Sequence, residues 1–96
     1  MEDFFEVGLR ERKATLGEKY VEKNLKEADE FTKPFQEAMT SWCWGFGWGD
    51  KSIDRKTRSM MNLAMIGALG KLNEWEIHCR GALKNGVSKE QIRAII

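Results

Sequence analysis

A chain of 96 residues with 16 lysines and arginines against 15 acidic residues, a net charge of +1, has room for one domain and carries no large excess of charge. Without a block of basic residues, it lacks the electrostatic footprint of a nucleic-acid-binding protein. The amino terminus, MEDFFEVGLRERK, has acids where a signal peptide has its basic segment, and no apolar core follows them. We therefore expect a single domain, residues 1–96, located in the cytoplasm.

The first part of the chain is predicted to be helical. Residues 2–16 form a moderately amphipathic helix that ends at Gly17, because glycine readily takes the left-handed conformation found at helix carboxyl ends. The charged segment that follows, with Tyr20, Val21 and Leu25, indicates one or two further helical turns.

A third helix is indicated by Thr32 and the Lys-Pro pair after it, since proline fits the first helical turn. Its apolar residues recur at helical spacing and predict a strong apolar stripe, formed by Phe31, Phe35, Ala38, Met39, Trp42 and Phe46. Trp44 and Trp48 are expected to face elsewhere. The alternating glycines from Gly45 to Gly49 predict a loop, which lacks the preceding strand and the spacing of a nucleotide-binding loop.

Two helices in antiparallel contact are predicted next. The first, Asp54–Leu69, begins with an N-cap residue, and its last ten residues are almost all apolar, so we expect a central helix covered on several sides. This apolar run is too short to cross a bilayer. After Gly70, the second helix, Asn73–Lys84, is expected to begin with a capping box between its first residue and Glu76 and to end before Gly86.

The inward stripe of this second helix is predicted from the spacing of Trp75, His78, Cys79, Ala82 and Leu83. His78 is the only histidine in the chain, so it is the only side chain whose ordinary pKa lies near neutrality. An apolar stripe favours its neutral form. The residues alone leave two interpretations open, a packed structural histidine or a proton-transfer group, and a lone histidine without nearby ligands disfavours a metal site.

A last helix is predicted from Lys89 onward. Ser88 and Gln91 are spaced as a capping box, and Val87 and Ile92 as a hydrophobic staple. Because no stretch shows the alternation typical of strands, the predicted fold class is all-α.

Several segments together resemble the carboxymuconolactone decarboxylase family. They are GEKYVEKNL, ADEFTKPFQE, Cys43-Trp44-Gly45, and IDRKTRSMMNLAMIGAL followed by HCRGALKNGVS. The resemblance covers nearly the whole chain from Gly17 onward and implies a compact alkylhydroperoxidase-like helical domain in a ring-shaped homo-oligomer, commonly a trimer of dimers. Family members continue through a further apolar helix, which implies that the final helix here is incomplete or is covered by a neighbouring subunit.

The activity that the resemblance implies is that of a carboxy-lyase, which removes CO2 from 4-carboxymuconolactone in aromatic catabolism. Because the unsaturated lactone can accept the electrons left by the carboxylate, no metal or organic cofactor is expected. By the same resemblance His78 is the candidate proton donor. The candidate substrate-binding residues are Arg55, Arg58, Arg80 and Trp44. Phe46 stands where family members typically carry a glutamate, so the substrate stays open among related lactone acids.

Two other functions stay open. The redox branch of the superfamily carries a Cys-x-x-Cys-x-x-x-His signature, and alignment on His78 puts Lys71 and Glu74 at the cysteine positions, which removes that redox centre. Cys43 and Cys79, expected to be reduced thiols in a chain without a secretion signal, leave a weaker thiol activity open. The third possibility is a non-catalytic relative that binds a small molecule.

Overall fold

The computed structural model describes residues 3–96, and these residues form helices and turns without strands. The six α-helices are Phe4–Leu16 (α1), Glu18–Glu27 (α2), Lys33–Met39 (α3), Arg55–Ala68 (α4), Leu72–Lys84 (α5) and Lys89–Ile95 (α6). A π-helix, Thr40–Gly47, continues α3 directly. The all-α class is therefore confirmed over the described residues, and the predicted first residue of α1, Glu2, lies outside them.

The chain divides into two compact units, one ending at Ser52 and the other comprising Ile53–Ile96. The single domain and the cytoplasmic location inferred from the sequence stay predictions. None of the helices between residues 3 and 96 combines the length and the apolar character that crossing a membrane requires.

In the first unit, the ends of the helices follow the sequence signals closely. Gly17, at φ 99°, separates α1 from α2, as predicted. The α2 helix has 10 residues, so it is longer than the one or two turns expected. The third helix begins at Lys33, directly after Thr32, which confirms the predicted start.

The α1 helix is held by a buried face that is largely polar. Its buried residues are Gly8, Glu11, Arg12 and Thr15. The guanidinium of Arg12, only 3% exposed as a residue, donates through Nη1 to Oε1 of Gln36 at 3.0 Å and to Oγ1 of Thr40 at 3.1 Å. Burial lowers the pKa of Arg12 from its ordinary value, because it disfavours the charged guanidinium. The two hydrogen bonds offset part of this desolvation cost. Glu11 is paired with Lys51.

The side chains that the π-helix buries differ from those that α-helical spacing predicts to be buried. Its i→i+5 hydrogen bonds widen each turn, so residues four or five apart share a face. The buried residues in and just after it are Thr40, Trp44, Gly45 and Trp48. The exposed residues of the predicted stripe include Phe31, Phe35, Trp42 and Phe46. The predicted loop begins later than expected, at Trp48, because Gly45 and Gly47 both lie within the π-helix.

Two glycines allow α1 to lie directly on the π-helix. A Cβ atom at Gly45 would lie 2.0 Å from the carbonyl oxygen of Phe4, and a Cβ atom at Gly8 would lie 1.8 Å from the carbonyl oxygen of Thr40. Real atoms do not approach so closely, and a backbone carbonyl cannot swing aside as the end of a flexible side chain can. The contact between these helices therefore depends on the absence of both Cβ atoms.

We expect Gly45→Ala to lower the free energy of unfolding by about 2–3 kcal/mol, because the added Cβ must push α1 away from the π-helix. Gly47→Ala is the matched control, since its Cβ would lie 3.6 Å from the carbonyl oxygen of Trp42, an ordinary contact. Denaturant unfolding of the two variants measures the difference. Equal stabilities would contradict the close approach.

In the second unit, α4 and α5 pack antiparallel after a short turn, residues 69–71. Gly70, at φ 71°, ends α4, as predicted. Three contacts between the helices define their register: Gly67 lies against Trp75, Asn62 against His78, and Ser59 against Asn85. The predicted antiparallel contact is therefore present.

The capping box predicted at the start of α5 is wrong. The helix already begins at Leu72, and Lys71 occupies the N-cap position without a side-chain hydrogen bond to the helix. Because the turn after Gly70 is so short, the chain re-enters a helix before Asn73 is reached. Asn73 and Glu76 therefore both lie inside the helix.

The other two caps are confirmed. Asp54 accepts a hydrogen bond from the backbone N–H of Thr57 at 2.7 Å. At α6, Gln91 N–H donates to Ser88 Oγ at 3.0 Å and Ser88 N–H donates to Gln91 Oε1 at 2.9 Å. The apolar core of this unit joins α4, α5 and α6 through Leu63, Ala82, Val87 and Ile92.

The apolar residues of α4 are only partly covered within the single chain. Ser59 and Leu63 are buried, whereas Met61, Met65 and Leu69 are exposed. The central position predicted for α4, covered on several sides, stays a prediction.

Candidate functional site

The candidate site is centred on His78, in the middle of α5. The imidazole is half-buried, and its Nδ1 lies 3.3 Å from the side-chain Nδ2 of Asn62 on α4. The same interface also carries the hydrogen bond from Asn85 Nδ2 to Ser59 Oγ at 2.9 Å. The ring is therefore held at a fixed place between two packed helices.

The surroundings of His78 favour its neutral form. Burial lowers its pKa below the ordinary 6.5, and the carboxylate of Glu74, one helical turn earlier, raises the pKa by a smaller amount. At neutral pH the free protein therefore carries an uncharged imidazole at this position, as the sequence predicts.

Asn62, which contacts the candidate histidine, is the residue that the sequence interpretation missed. It is the only polar side chain between Met60 and Leu69, a stretch that was interpreted through its apolar residues. A single amide within an apolar helix needs a hydrogen-bonding partner when it is packed against another helix. That isolation was the signal that could have identified it.

Two of the predicted arginines share a helix face with Asn62. Arg55, Arg58 and Asn62 are spaced i, i+3 and i+7 on α4, so they lie on one side of that helix. Both arginines are half-buried, and Arg58 Nε donates to the carbonyl oxygen of Ile53 at 3.3 Å. Positive charge and the imidazole contact therefore occur on the same face of α4.

Arg80 and Trp44 occupy different surroundings. Arg80 follows His78 by two residues, about 200° round the helix, and forms an exposed ion pair with Glu76. Trp44 belongs to the first unit, is 4% exposed, and packs against Trp48 with ring centroids 4.6 Å apart. Of the predicted substrate-binding residues, the second unit therefore brings only Arg55 and Arg58 onto the face of α4 that contacts the imidazole.

Both cysteines are free thiols. Burial raises the pKa of Cys43, and the nearby Arg12 guanidinium lowers it by less. The thiolate, which is the reactive form, is therefore disfavoured at Cys43. Cys79 packs against the apolar core of the second unit.

An apolar groove of about 500 Å³ also opens in the second unit, between α4, α5 and the end of α6. Leu63, Gly67, Trp75 and Ile95 are among its lining residues, all of which are apolar or glycine, and His78 is not one of them. The groove has no charged lining residue, and we therefore distinguish it from the candidate site at His78.

Comparison with known proteins identifies the family of the chain. The model of the carboxymuconolactone decarboxylase family matches residues 33–96. A nitrosuccinic acid decarboxylase of Metarhizium robertsii is 41% identical over 92 residues, covering 96% of this chain and 64% of that protein. The 4-carboxymuconolactone decarboxylase of Acinetobacter baylyi is 34% identical over 95 residues, covering 99% of this chain and 71% of that protein. No solved structure matches the chain.

The chain belongs to the carboxymuconolactone decarboxylase family. It spans somewhat less than two thirds of the length of the first relative and somewhat more than two thirds of the second.

The lowered pKa of His78 predicts a pH dependence of stability. As pH falls through about 6.5 the unfolded chain binds a proton that the folded protein resists, so stability is fully present above that pH and declines below it. We expect the Tm to fall between about pH 7.5 and about pH 5.5, and His78→Gln to reduce that fall. Asn73→Gln, an exposed amide change on the same helix, should keep it. An undiminished fall in His78→Gln would contradict the assignment.

Proposed function

We propose that this chain is a cofactor-independent carboxy-lyase that acts on 4-carboxymuconolactone or a related acid in aromatic catabolism. The observation that carries the proposal is His78, a half-buried imidazole in contact with Asn62, beside a helix face with two arginines. Membership of a decarboxylase family supports the same reaction.

The named substrates of the two relatives share one reactive feature. Nitrosuccinic acid has a nitro group and 4-carboxymuconolactone has an unsaturated lactone, and each group can accept the electron pair that remains when a carboxylate leaves as CO2. Each compound is also a dicarboxylic acid, so one carboxylate can be bound while the other leaves. We therefore propose small dicarboxylic acids with an adjacent electron acceptor as the substrate class.

The proposed reaction needs a proton donor and carboxylate-binding groups from the protein. The bond between carbon and the departing carboxylate breaks, its electron pair moves into the acceptor group, and the imidazolium of His78 returns a proton to carbon. Arg55 and Arg58 are proposed to bind the carboxylates through charge-assisted hydrogen bonds. Because a bound dianion favours the charged imidazole, the substrate itself would raise the pKa that burial lowers in the free protein.

The remaining candidates have less support. Arg80 is exposed and already paired with Glu76, and Trp44 stays in the proposal on the family resemblance alone. A thiol redox function is weakened by the raised pKa of Cys43. The screen for CO2 release described next distinguishes a non-catalytic binding role from the lyase.

The decisive experiment is a screen for CO2 release from 4-carboxymuconolactone and nitrosuccinic acid, with succinic acid, which lacks the acceptor group, as the negative control. On whichever compound reacts, we expect His78→Gln to reduce turnover by roughly 10²–10⁴, the range that a positioned acid or base contributes. Asn73→Gln, the matched amide control, should retain the wild-type rate.

The Tm of each preparation separates the two roles of the histidine. A structural histidine would instead leave turnover unchanged and lower stability by about 1–3 kcal/mol, because a buried polar group would lose its partner. That result would remove His78 as the proton donor. The absence of CO2 release from any compound of the class would count against the lyase and favour a binding relative.

We further propose that the active form is a homo-oligomer, in which the aromatic face of the first unit is covered. We define this aromatic face as Phe4, Phe35, Trp42 and Phe46. The rings of Phe4, Trp42 and Phe46 contact one another with centroids 5.5–6.0 Å apart, yet Trp42 is 62% exposed and Phe46 58% exposed. Three aromatic rings in mutual contact, two of them more than half exposed, form a contiguous apolar patch of the kind that often marks a protein–protein interface.

Trp42→Lys tests the aromatic face. We expect the wild type to sediment as an oligomer at micromolar concentration and Trp42→Lys to shift towards smaller species, because a charge is poorly tolerated within an apolar interface. Ala14→Lys adds the same charge at an exposed position of α1 about 15 Å along the helix from Phe4 and should not shift the distribution. A wild type that sediments as a folded monomer would overturn the proposal.

A further inference from the structure

The contact between Asn62 and His78 is part of a continuous interface rather than an isolated surface pair. Towards one end of the helix pair, Gly67 lies against the Trp75 indole, whose Nε1 would lie at an ordinary contact distance of 3.4 Å from a Cβ at that position. Towards the other end, Asn85 donates to Ser59 at 2.9 Å. The two flanking contacts fix the register of α4 against α5, and this register sets the amide opposite the imidazole.

A primary amide differs from the other hydrogen-bonding side chains in what it can offer a histidine. Its NH2 group donates to the unprotonated nitrogen of a neutral ring, and after a half-turn its oxygen accepts from the N–H of a charged ring. A carboxylate can only accept, so it favours the imidazolium. An apolar side chain favours neither form through hydrogen bonding.

We infer that Asn62 is the positioning residue of His78, donating from Nδ2 to Nδ1 of the neutral ring and thereby placing the ring proton on Nε2. When the ring becomes charged, rotation of the amide presents Oδ1 to the new Nδ1–H. The orientation of the imidazole is then the same in both protonation states. The nitrogen directed away from Asn62, Nε2, is the one that exchanges a proton with a ligand.

The role of Asn62 in catalysis rests on the proposed lyase function, whereas its effect on the tautomer of His78 does not. A histidine that returns a proton to carbon passes through both protonation states in every cycle. A partner that can hydrogen-bond to both forms of the ring therefore does not hinder the change between them. The charged groups around the pair are Glu74 on α5 and the two arginines on the same face of α4, while the charged residues of α6, Lys89, Glu90 and Arg93, are exposed. All of these groups stay constant when only Asn62 is changed.

The test uses the single histidine of the chain, which gives one set of imidazole signals in long-range ¹H–¹⁵N spectra. Above the pKa of the ring, we expect the wild type to show a protonated Nε2 and an unprotonated Nδ1. Asn62→Leu, of similar size, should lose this bias and give the averaged shifts of two tautomers. Asn62→Asp should raise the pKa of His78 by about 1–3 units, because a carboxylate then faces Nδ1.

The control is Asn73→Leu, an exposed asparagine on α5 whose replacement should leave every imidazole signal in place. Asn62→Ser provides a second variant if the leucine protein does not fold, and it should show the same loss of bias. A wild-type neutral ring protonated on Nδ1 would overturn the inference. So would wild-type ring shifts in a folded Asn62→Leu or Asn62→Ser protein.

Kinetics separate this inference from the proposed function. If the wild type releases CO2, Asn62→Leu should lower kcat by at least about tenfold, and Asn62→Asp should move the pH profile of kcat/KM upward together with the His78 pKa. An unmoved profile would overturn the positioning role while leaving the lyase intact. If no acid of the class reacts, the lyase proposal fails, and the ring spectra alone decide whether Asn62 sets the tautomer.

Discussion

The register between α4 and α5 is the constraint on which the candidate site depends. The turn at Gly70 occupies only residues 69–71, and its left-handed glycine reverses the direction of the chain. Because the turn is so short, it leaves α5 little freedom to shift along α4. The residues of α5 that face α4 are therefore held opposite fixed neighbours, and the neighbour of His78 is the one amide of an otherwise apolar stretch. A turn longer by one residue would rotate α5 by about 100° and separate the pair.

The first unit solves a different packing problem. Its amino-terminal helix carries a buried arginine and a buried glutamate, which are unusual core residues, and each is paired with side chains from elsewhere in the unit. The glycines at this contact bring backbone against backbone, so little apolar area is available there. The aromatic residues that spacing alone would have assigned to the core lie outside it, and this is why the aromatic face exists.

The sequence predicted those features that depend on local chemistry. The caps at Asp54 and Ser88 and the glycine ends at Gly17 and Gly70 each involve residues within one or two turns of each other, so the local sequence specifies them. The sequence did not indicate the π-helix, because the expectation assumed 3.6 residues per turn throughout. That spacing places Trp42 in the core and Trp44 outside it, which is the reverse of the observed burial. The early start of α5 was missed because a turn, rather than a side-chain cap, begins that helix.

The same limit applies to the site. His78 could be identified from the sequence because it is the only histidine, but its hydrogen-bonding partner lies 16 residues away, and that pairing depends on the register of two helices. Arg80 is close to His78 in sequence but not in space, because a spacing of two residues places it on the far side of α5.

The distribution of the four tryptophans gives the molecule an internal set of optical reporters. Trp42 is open to water, Trp44 and Trp48 form a buried pair in contact, and Trp75 lies half-buried against Gly67 in the other unit. Indole emission shifts to longer wavelength with exposure to water, and contact quenchers reach only exposed rings. The quenchable emission therefore comes mainly from Trp42 and reports whether the aromatic face is covered, while the blue-shifted emission of Trp44 and Trp48 follows the packing of the π-helix as the protein unfolds.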